Sequence, residues 1–273
     1  MEYIKLSNNV MLPKLGMGTN TFGKTDNQYH GSITYDISYH LMAINNGYRM
    51  FDTAISYRNE ALVGQAIKAS RIPRSEFFVI SKIPARSEYI LTKEQIRNTI
   101  SQSLKEINLE YIDLYLIHHP IEDKALLLNV WEVMEEYYEQ GLLKAIGVSN
   151  FNIDDINFLI KNGSVAPMVN QIEINQNNWN YQLIKELKEI NVVPQTWSPL
   201  KRGSEETKEL LEEIGKKYNK SWAQVLLKFN IENDICVIAK SHTDIRQKEN
   251  MDIFDFKLTK KDYIRIEEHI KKI

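Results

Sequence analysis

An apolar run that ends in a carboxylate, Phe51-Asp52, is followed five residues later by a phenol, Tyr57. A phenol titrates near pKa ~10 in water, so it exchanges protons poorly at neutral pH unless a neighbouring cation lowers that value. Lys82 is such a cation, closing the next apolar run, Phe77-Phe78-Val79-Ile80, and His118 closes the one after it, residues 112–117. Neighbouring strands lie roughly 5 Å apart, so a lysine at one strand end reaches a carboxylate at the next. The chemistry these types can do together is proton transfer to a substrate oxygen. Lys82 would stabilise the phenolate and lower the phenol's pKa, Asp52 would hold the ammonium charged and oriented, and His118 would donate a hydrogen bond to the same oxygen. Singly, each has a plainer use, as a loop cap, a solvated charge and a core histidine. Three consecutive strands that each end in a titratable group argue against coincidence.

Such side chains need a scaffold in which strand ends converge. Residues 3–6 and 10–12, joined at Asn8-Asn9, read as a hairpin ahead of the main fold. Eight short apolar runs follow, at 15–17, 50–51, 77–80, 112–117, 145–148, 168–169, 192–197 and 235–238, each finishing in polar residues. Between them the pattern is helical. Thr34 is placed to cap a helix with the stripe Ile37, Leu41 and Ile44, and Gly47 to end it. Thr92 and Gln95 have capping-box spacing before Ile96, Ile100, Leu104 and Ile107; Ser221 with Gln224 repeats the signal, and Ser204 caps a further helix. An α/β fold closed as a (β/α)8 TIM barrel explains both the alternation and the polar ends, because loops after the strands gather at one mouth. An open doubly wound sheet would scatter them along an edge.

Composition agrees with one barrel domain over residues 1–273, since such barrels run to roughly 250 residues. With 34 basic and 36 acidic residues the net charge is -2, so nothing favours nucleic acid or an anionic membrane as a partner. The start of the chain has no apolar core of signal-peptide length, and no run of about 18 apolar residues occurs, so a cytoplasmic protein is expected. Cys236 is the only cysteine and reads as a buried small hydrophobe. His118 and His119, adjacent on a strand, would point to opposite faces, so no metal site is expected. Gly147-Val148-Ser149-Asn150-Phe151 begins like a nucleophile elbow, but Phe151 replaces its last glycine. Thr21 stands at the third glycine's place after Gly16-Met17-Gly18, so the dinucleotide fingerprint fails.

The chain closely resembles the aldo-keto reductases, from Leu15-Gly16-Met17-Gly18-Thr19 to Phe254. The resemblance is carried by Gly47-Tyr48-Arg49-Met50-Phe51-Asp52-Thr53-Ala54, Ile112-Asp113-Leu114-Tyr115-Leu116-Ile117-His118-His119-Pro120, Ile146-Gly147-Val148-Ser149-Asn150-Phe151 and Ile238-Ala239-Lys240-Ser241. It implies reversible NADPH-dependent reduction of an aldehyde or ketone, with Asp52, Tyr57, Lys82 and His118 as the catalytic tetrad and Tyr57 as general acid. By the same resemblance Gly18 and Thr19 belong to the cofactor site, Ser149, Asn150 and Gln171 meet the nicotinamide carboxamide, and Trp197 stacks on the ring. Ser198 and Leu200 fall at the pyrophosphate, Lys240, Ser241 and Arg246 at the adenosine phosphate, and Glu249 and Asn250 at the adenine. Asn20 and His119 replace two large apolar walls and are expected to contact substrate, and Ala239 replaces a usual proline. The loop from Lys201 to Ser204 is short, the chain ends at Ile273 without the long tail of larger members, and residues 26–32 are extra length in the first loop without an assigned role. The expected partner is a small carbonyl compound and the expected state a monomer. A cofactor-holding regulatory protein with incidental turnover is the alternative such a resemblance allows.

Overall fold

The computed structural model describes residues 1–201 and 203–271; Arg202, inside the short loop just named, and the final Lys272 and Ile273 lie outside the described residues. A two-stranded antiparallel hairpin, β1 (Tyr3–Lys5) and β2 (Met11–Pro13), precedes a closed barrel. The barrel strands are β3 (Leu15–Gly18), β4 (Met50–Asp52), β5 (Phe78–Ile83), β6 (Leu114–Ile117), β7 (Ile146–Ser149), β8 (Val169–Glu173), β9 (Val193–Trp197) and β10 (Cys236–Ala239). All neighbours are parallel, and β10 closes against β3. Helices α1 (Ser38–Asn45), α2 (Glu60–Ser70), α3 (Ser87–Ile90), α4 (Lys93–Ile107), α5 (Lys124–Glu139), α6 (Ile153–Asn162), α7 (Tyr181–Glu189), α8 (Glu205–Lys216), α9 (Trp222–Glu232), α10 (Asp244–Met251) and α11 (Lys260–Ile270) surround it. No helix among the described residues is long and apolar enough to cross a membrane.

The period of two along each strand sorts the side chains into two cores. Met50, Phe78, Ile80, Leu114, Leu116, Val169, Val193 and Cys236 fill the barrel interior, and Leu6 and Leu12 of the hairpin join that cluster. Phe51, Val79, Tyr115 and Val148 belong instead to the layer between strands and helices. The same alternation lifts Asp52, Lys82 and His118 above the apolar layers. Strand stagger does the rest: Asp52 lies opposite Ile80, and Lys82 lies opposite Leu116, so each titratable group stands one step further along than the last.

Several boundaries differ from expectation for local reasons. Thr34 does not cap α1, which begins at Ser38; Tyr35 takes the left-handed φ of 59° and the Asp36 carboxylate accepts from the Ser38 amide instead. β5 continues through Lys82 to Ile83. Helices α3 and α11 are additional, the latter capped by Thr259, whose hydroxyl accepts from the Asp262 amide. Gly64 lets α2 lie against the end of α4, where a Cβ would meet the Ile107 carbonyl oxygen.

Candidate active site

One cavity of about 530 Å³ opens where the strands end, lined by Gly18, Thr19, Asn20, Asp52, Tyr57, His118, His119, Ser149, Asn150, Gln171, Trp197, Ser198, Leu200 and Lys240 among others. Tyr57 ends a 3-10 turn over Ile55–Tyr57 that follows β4, closed by bonds from the Tyr57 amide to the Ala54 carbonyl and from the Arg58 amide to the Ile55 carbonyl. Lys82 is wholly buried beneath it, with Nζ 5.0 Å from the Tyr57 ring centroid. Nζ donates to Asp52 Oδ1 at 2.8 Å, Asp52 Oδ2 at 2.7 Å and the Thr53 carbonyl at 2.9 Å. Those bonds use all three ammonium protons. Lys82 therefore does not bond the phenol, and the expected lowering of the phenol's pKa does not hold. Burial first, then the Asp52 charge, push the Tyr57 phenol well above its ordinary value.

His118 meets the Tyr57 ring edge to face at 5.6 Å. Burial, with the Lys82 charge, pushes its pKa down to about 2, so its imidazole is neutral. Its Nδ1 is buried without a partner among the described residues, leaving Nε2 as the nitrogen open to the cavity. His119 does not point to the opposite face as the strand alternation suggested. β6 stops at Ile117, and beyond it the two imidazoles stack at 4.6 Å and both line the cavity.

The remaining expected residues divide into those around the cavity and those outside it. Ser149 Oγ donates to the Gln171 carbonyl, and Asn150 Nδ2 donates to Ser149 Oγ and the His118 carbonyl. Trp197 donates its indole N–H to Asn150 Oδ1 at 3.0 Å, which holds the ring at the mouth. Thr19 ties its amide and hydroxyl to the Asp52 carbonyl. Lys240 Nζ donates to Asn20 Oδ1 and Thr21 Oγ1, so Asn20, expected at the substrate, also holds a cation. Ser241, Arg246, Glu249 and Asn250 lie off the cavity wall. Ser241 and Asn250 are buried; Arg246 and Glu249 are exposed on α10 and, among the described residues, neither has an ion-pair partner.

The first loop holds the residue that sequence reasoning missed. Tyr29 lines the cavity and meets the Tyr57 ring edge to face at 6.0 Å, with its hydroxyl donating to the Ser56 carbonyl. Its carbonyl accepts from Lys24 Nζ at 2.7 Å and from Arg58, whose guanidinium also reaches the Gly31 carbonyl. Asn59 anchors the base of this loop, donating to the Thr19 and Phe22 carbonyls while accepting from Thr53 Oγ1. The extra length of residues 26–32 was the one signal for it. A larger groove of about 930 Å³, lined by Glu2, Lys14, Lys228 and Asp255 among others, lies away from these groups, and its Lys14 and Lys228 are paired with Asp234 and Glu2.

A family model described as the aldo/keto reductase family matches residues 14–271. The glyoxal reductase of Bacillus subtilis is 36% identical over 266 residues, covering 97% of this chain and 92% of that protein. A methylglyoxal reductase of Escherichia coli is 33% identical, covering 94% of this chain and 89% of its own length. Among solved structures, an aldo/keto reductase from Brucella melitensis superposes with a TM-score of 0.88 at 35% identity, covering 98% of each chain. A Bombyx mori aldo-keto reductase solved in complex with NADP gives 0.85 at 31% identity, covering 98% of this chain and 92% of that one.

Proposed function

The chain belongs to the aldo/keto reductase family, and from that premise we propose that it reduces small aldehydes and ketones, dicarbonyls foremost, with NADPH as hydride donor and Tyr57 as general acid. One observation carries the reading. A neutral phenol and a neutral imidazole, 5.6 Å apart between rings, share one cavity above a buried Lys82–Asp52 pair. When bound, the reduced nicotinamide supplies the hydride. The residues present fit that group: the Gln171 side-chain oxygen, Oε1, has no hydrogen-bond partner among the described residues, Trp197 offers a fixed ring, and Lys240, with an Arg246 that has no ion-pair partner among the described residues, offers positive charge for phosphate.

Each side chain then has a physical task. Tyr57 keeps its proton until a substrate oxygen gains negative charge, and then gives it up. Lys82 makes that loss affordable through space, since its charge lies 5.0 Å from the ring. Asp52 keeps Lys82 charged against a burial that lowers its pKa. Neutral His118 donates one N–H to the same oxygen without a proton of its own to lose. Asn20 and His119 border the space with polar groups, which favours small polar carbonyls, because leaving such groups unpaired against an apolar substrate costs roughly 1–3 kcal/mol each. The names of the glyoxal and methylglyoxal reductases it resembles agree with that class.

A panel of glyoxal, methylglyoxal, an aromatic aldehyde and a steroid ketone, read by loss of the reduced nicotinamide's absorbance, tests this. The dicarbonyls are expected to give the highest kcat/KM. Absence of NADPH consumption with every member would defeat the reductase reading, and a steroid at the top would defeat the substrate class.

A further inference from the structure

Behind the mouth a chain of four side chains crosses the barrel. Lys82 on β5 donates to both oxygens of Asp52 on β4. Gln171 on β8 donates from Nε2 to Asp52 Oδ2 at 2.7 Å, and from the same nitrogen to Gln195 Oε1 on β9, also at 2.7 Å. Gln195 lies directly opposite Gln171 in the strand register and is wholly buried. Its own Nε2 has no partner among the described residues. A buried, half-satisfied amide is a cost that an apolar residue would avoid, so the bonded half must return something.

Hydrogen-bond arithmetic says what. An ionised Asp52 only accepts, so the end of Gln171 that faces it is the NH2 group. That nitrogen has two protons, and Asp52 takes one. The terminal torsion of a glutamine is broad, so one bond leaves the amide plane free to turn. Gln195 Oε1 takes the second proton and fixes the plane. Gln171 Oε1 is then the end left over, without a partner among the described residues, on a residue that lines the cavity. We infer that Gln195 is a positioning residue: by locking the Gln171 amide it obliges Gln171 to present a carbonyl oxygen, never an NH2, and so selects a cofactor ring bearing an amide N–H donor.

The inference rests on the nicotinamide-cofactor reading, and binding separates the two without turnover. NADPH and its 3-acetylpyridine analogue, in which a methyl stands where the carboxamide has NH2, are titrated by quenching of tryptophan fluorescence. The unmutated protein prefers NADPH. In Gln195→Leu the preference falls roughly tenfold, one hydrogen bond's worth, because NADPH weakens while the analogue changes less than about twofold. Gln195→Glu retains the preference, since the added carboxyl still has an accepting oxygen, and the like charge of Asp52 favours its protonated form. Equal weakening of both cofactors in Gln195→Leu, or loss of the preference in Gln195→Glu, would overturn the inference. If Gln195→Leu does not fold, Gln195→Glu and the unmutated protein decide it. Tight NADPH binding without discrimination in the unmutated protein overturns this inference alone, whereas no binding of either cofactor overturns the function proposed above.

Discussion

Lys82 shows how much a strand end can reveal and where it stops. Its position beside Asp52 followed from the spacing of apolar runs, because a parallel barrel converges strand ends whatever their loops do. Which atoms bond was not legible: all three ammonium protons go to Asp52 and Thr53, so the ammonium lies 5.0 Å from the centre of the phenol's ring without bonding it. The same limit appears at Lys240, expected to face a phosphate together with Arg246. Lys240 is held by Asn20 and Thr21, while Arg246 stands exposed and unpaired among the described residues. The exposed pairing on that helix is instead Lys248 with Asp244. An unpaired arginine near a 2'-phosphate contributes about one charged hydrogen bond, so Arg246→Ala is expected to weaken NADPH roughly tenfold and leave NADH nearly unchanged. Fluorescence titration with both cofactors checks this, and added salt should weaken NADPH selectively. Equal affinity of the unmutated protein for both cofactors would contradict it.

Elements with a periodic stripe were readable, and elements held by distant contacts were not. Helix α4 has its stripe Ile96, Ile100 and Ile107 buried, and Thr92 Oγ1 accepts from the Gln95 amide as the spacing implied. The first loop has no such period. Its shape comes from Lys24 and Arg58 on carbonyls, a bridge between Lys24 and Ile33, and the anchor at Asn59, none of which leaves a local pattern. Burial and the nearby Arg58 and Lys240 charges lower the Lys24 pKa to about 8. Tyr29 thereby becomes a wall beside Tyr57, supplying aromatic surface that Asn20 does not. Removing it as Tyr29→Ala should raise kcat/KM for a bulky aromatic aldehyde relative to methylglyoxal by roughly tenfold, the worth of one apolar pocket contact. The NADPH affinity should not change. An unchanged ratio between the two substrates would show that the loop does not border the substrate.

For the whole molecule, the eight-strand barrel was legible because apolar runs and polar ends recur together, whereas its buried titratable groups were not, since sequence does not show what helices cover. Burial holds His40 at a pKa of about 3 and His118 at about 2, so below their unfolded value of 6.5 the unfolded chain gains protons that the folded chain does not. Stability is therefore lost as pH falls, by about 1 kcal/mol for each histidine between pH 6.5 and 5.5. Glu60 opposes them. Burial between Ser81 and Ser103 raises its carboxyl to about 7, so the folded chain keeps a proton that the unfolded chain sheds above 4.5, and that returns about 1 kcal/mol over the same interval. The lowered His119 and His242 add to the loss. Urea unfolding at the two pH values should show a net loss of about 1 kcal/mol, growing to about 2 kcal/mol in Glu60→Gln; a variant no steeper than the unmutated protein would contradict the account. The central claim is that this cavity donates a proton from Tyr57 to a carbonyl oxygen. Turnover of methylglyoxal by Tyr57→Phe, measured beside its NADPH dissociation constant, tests it most directly: the rate should fall ~100-fold to 10,000-fold with cofactor affinity unchanged, and turnover near that of the unmutated protein would contradict it.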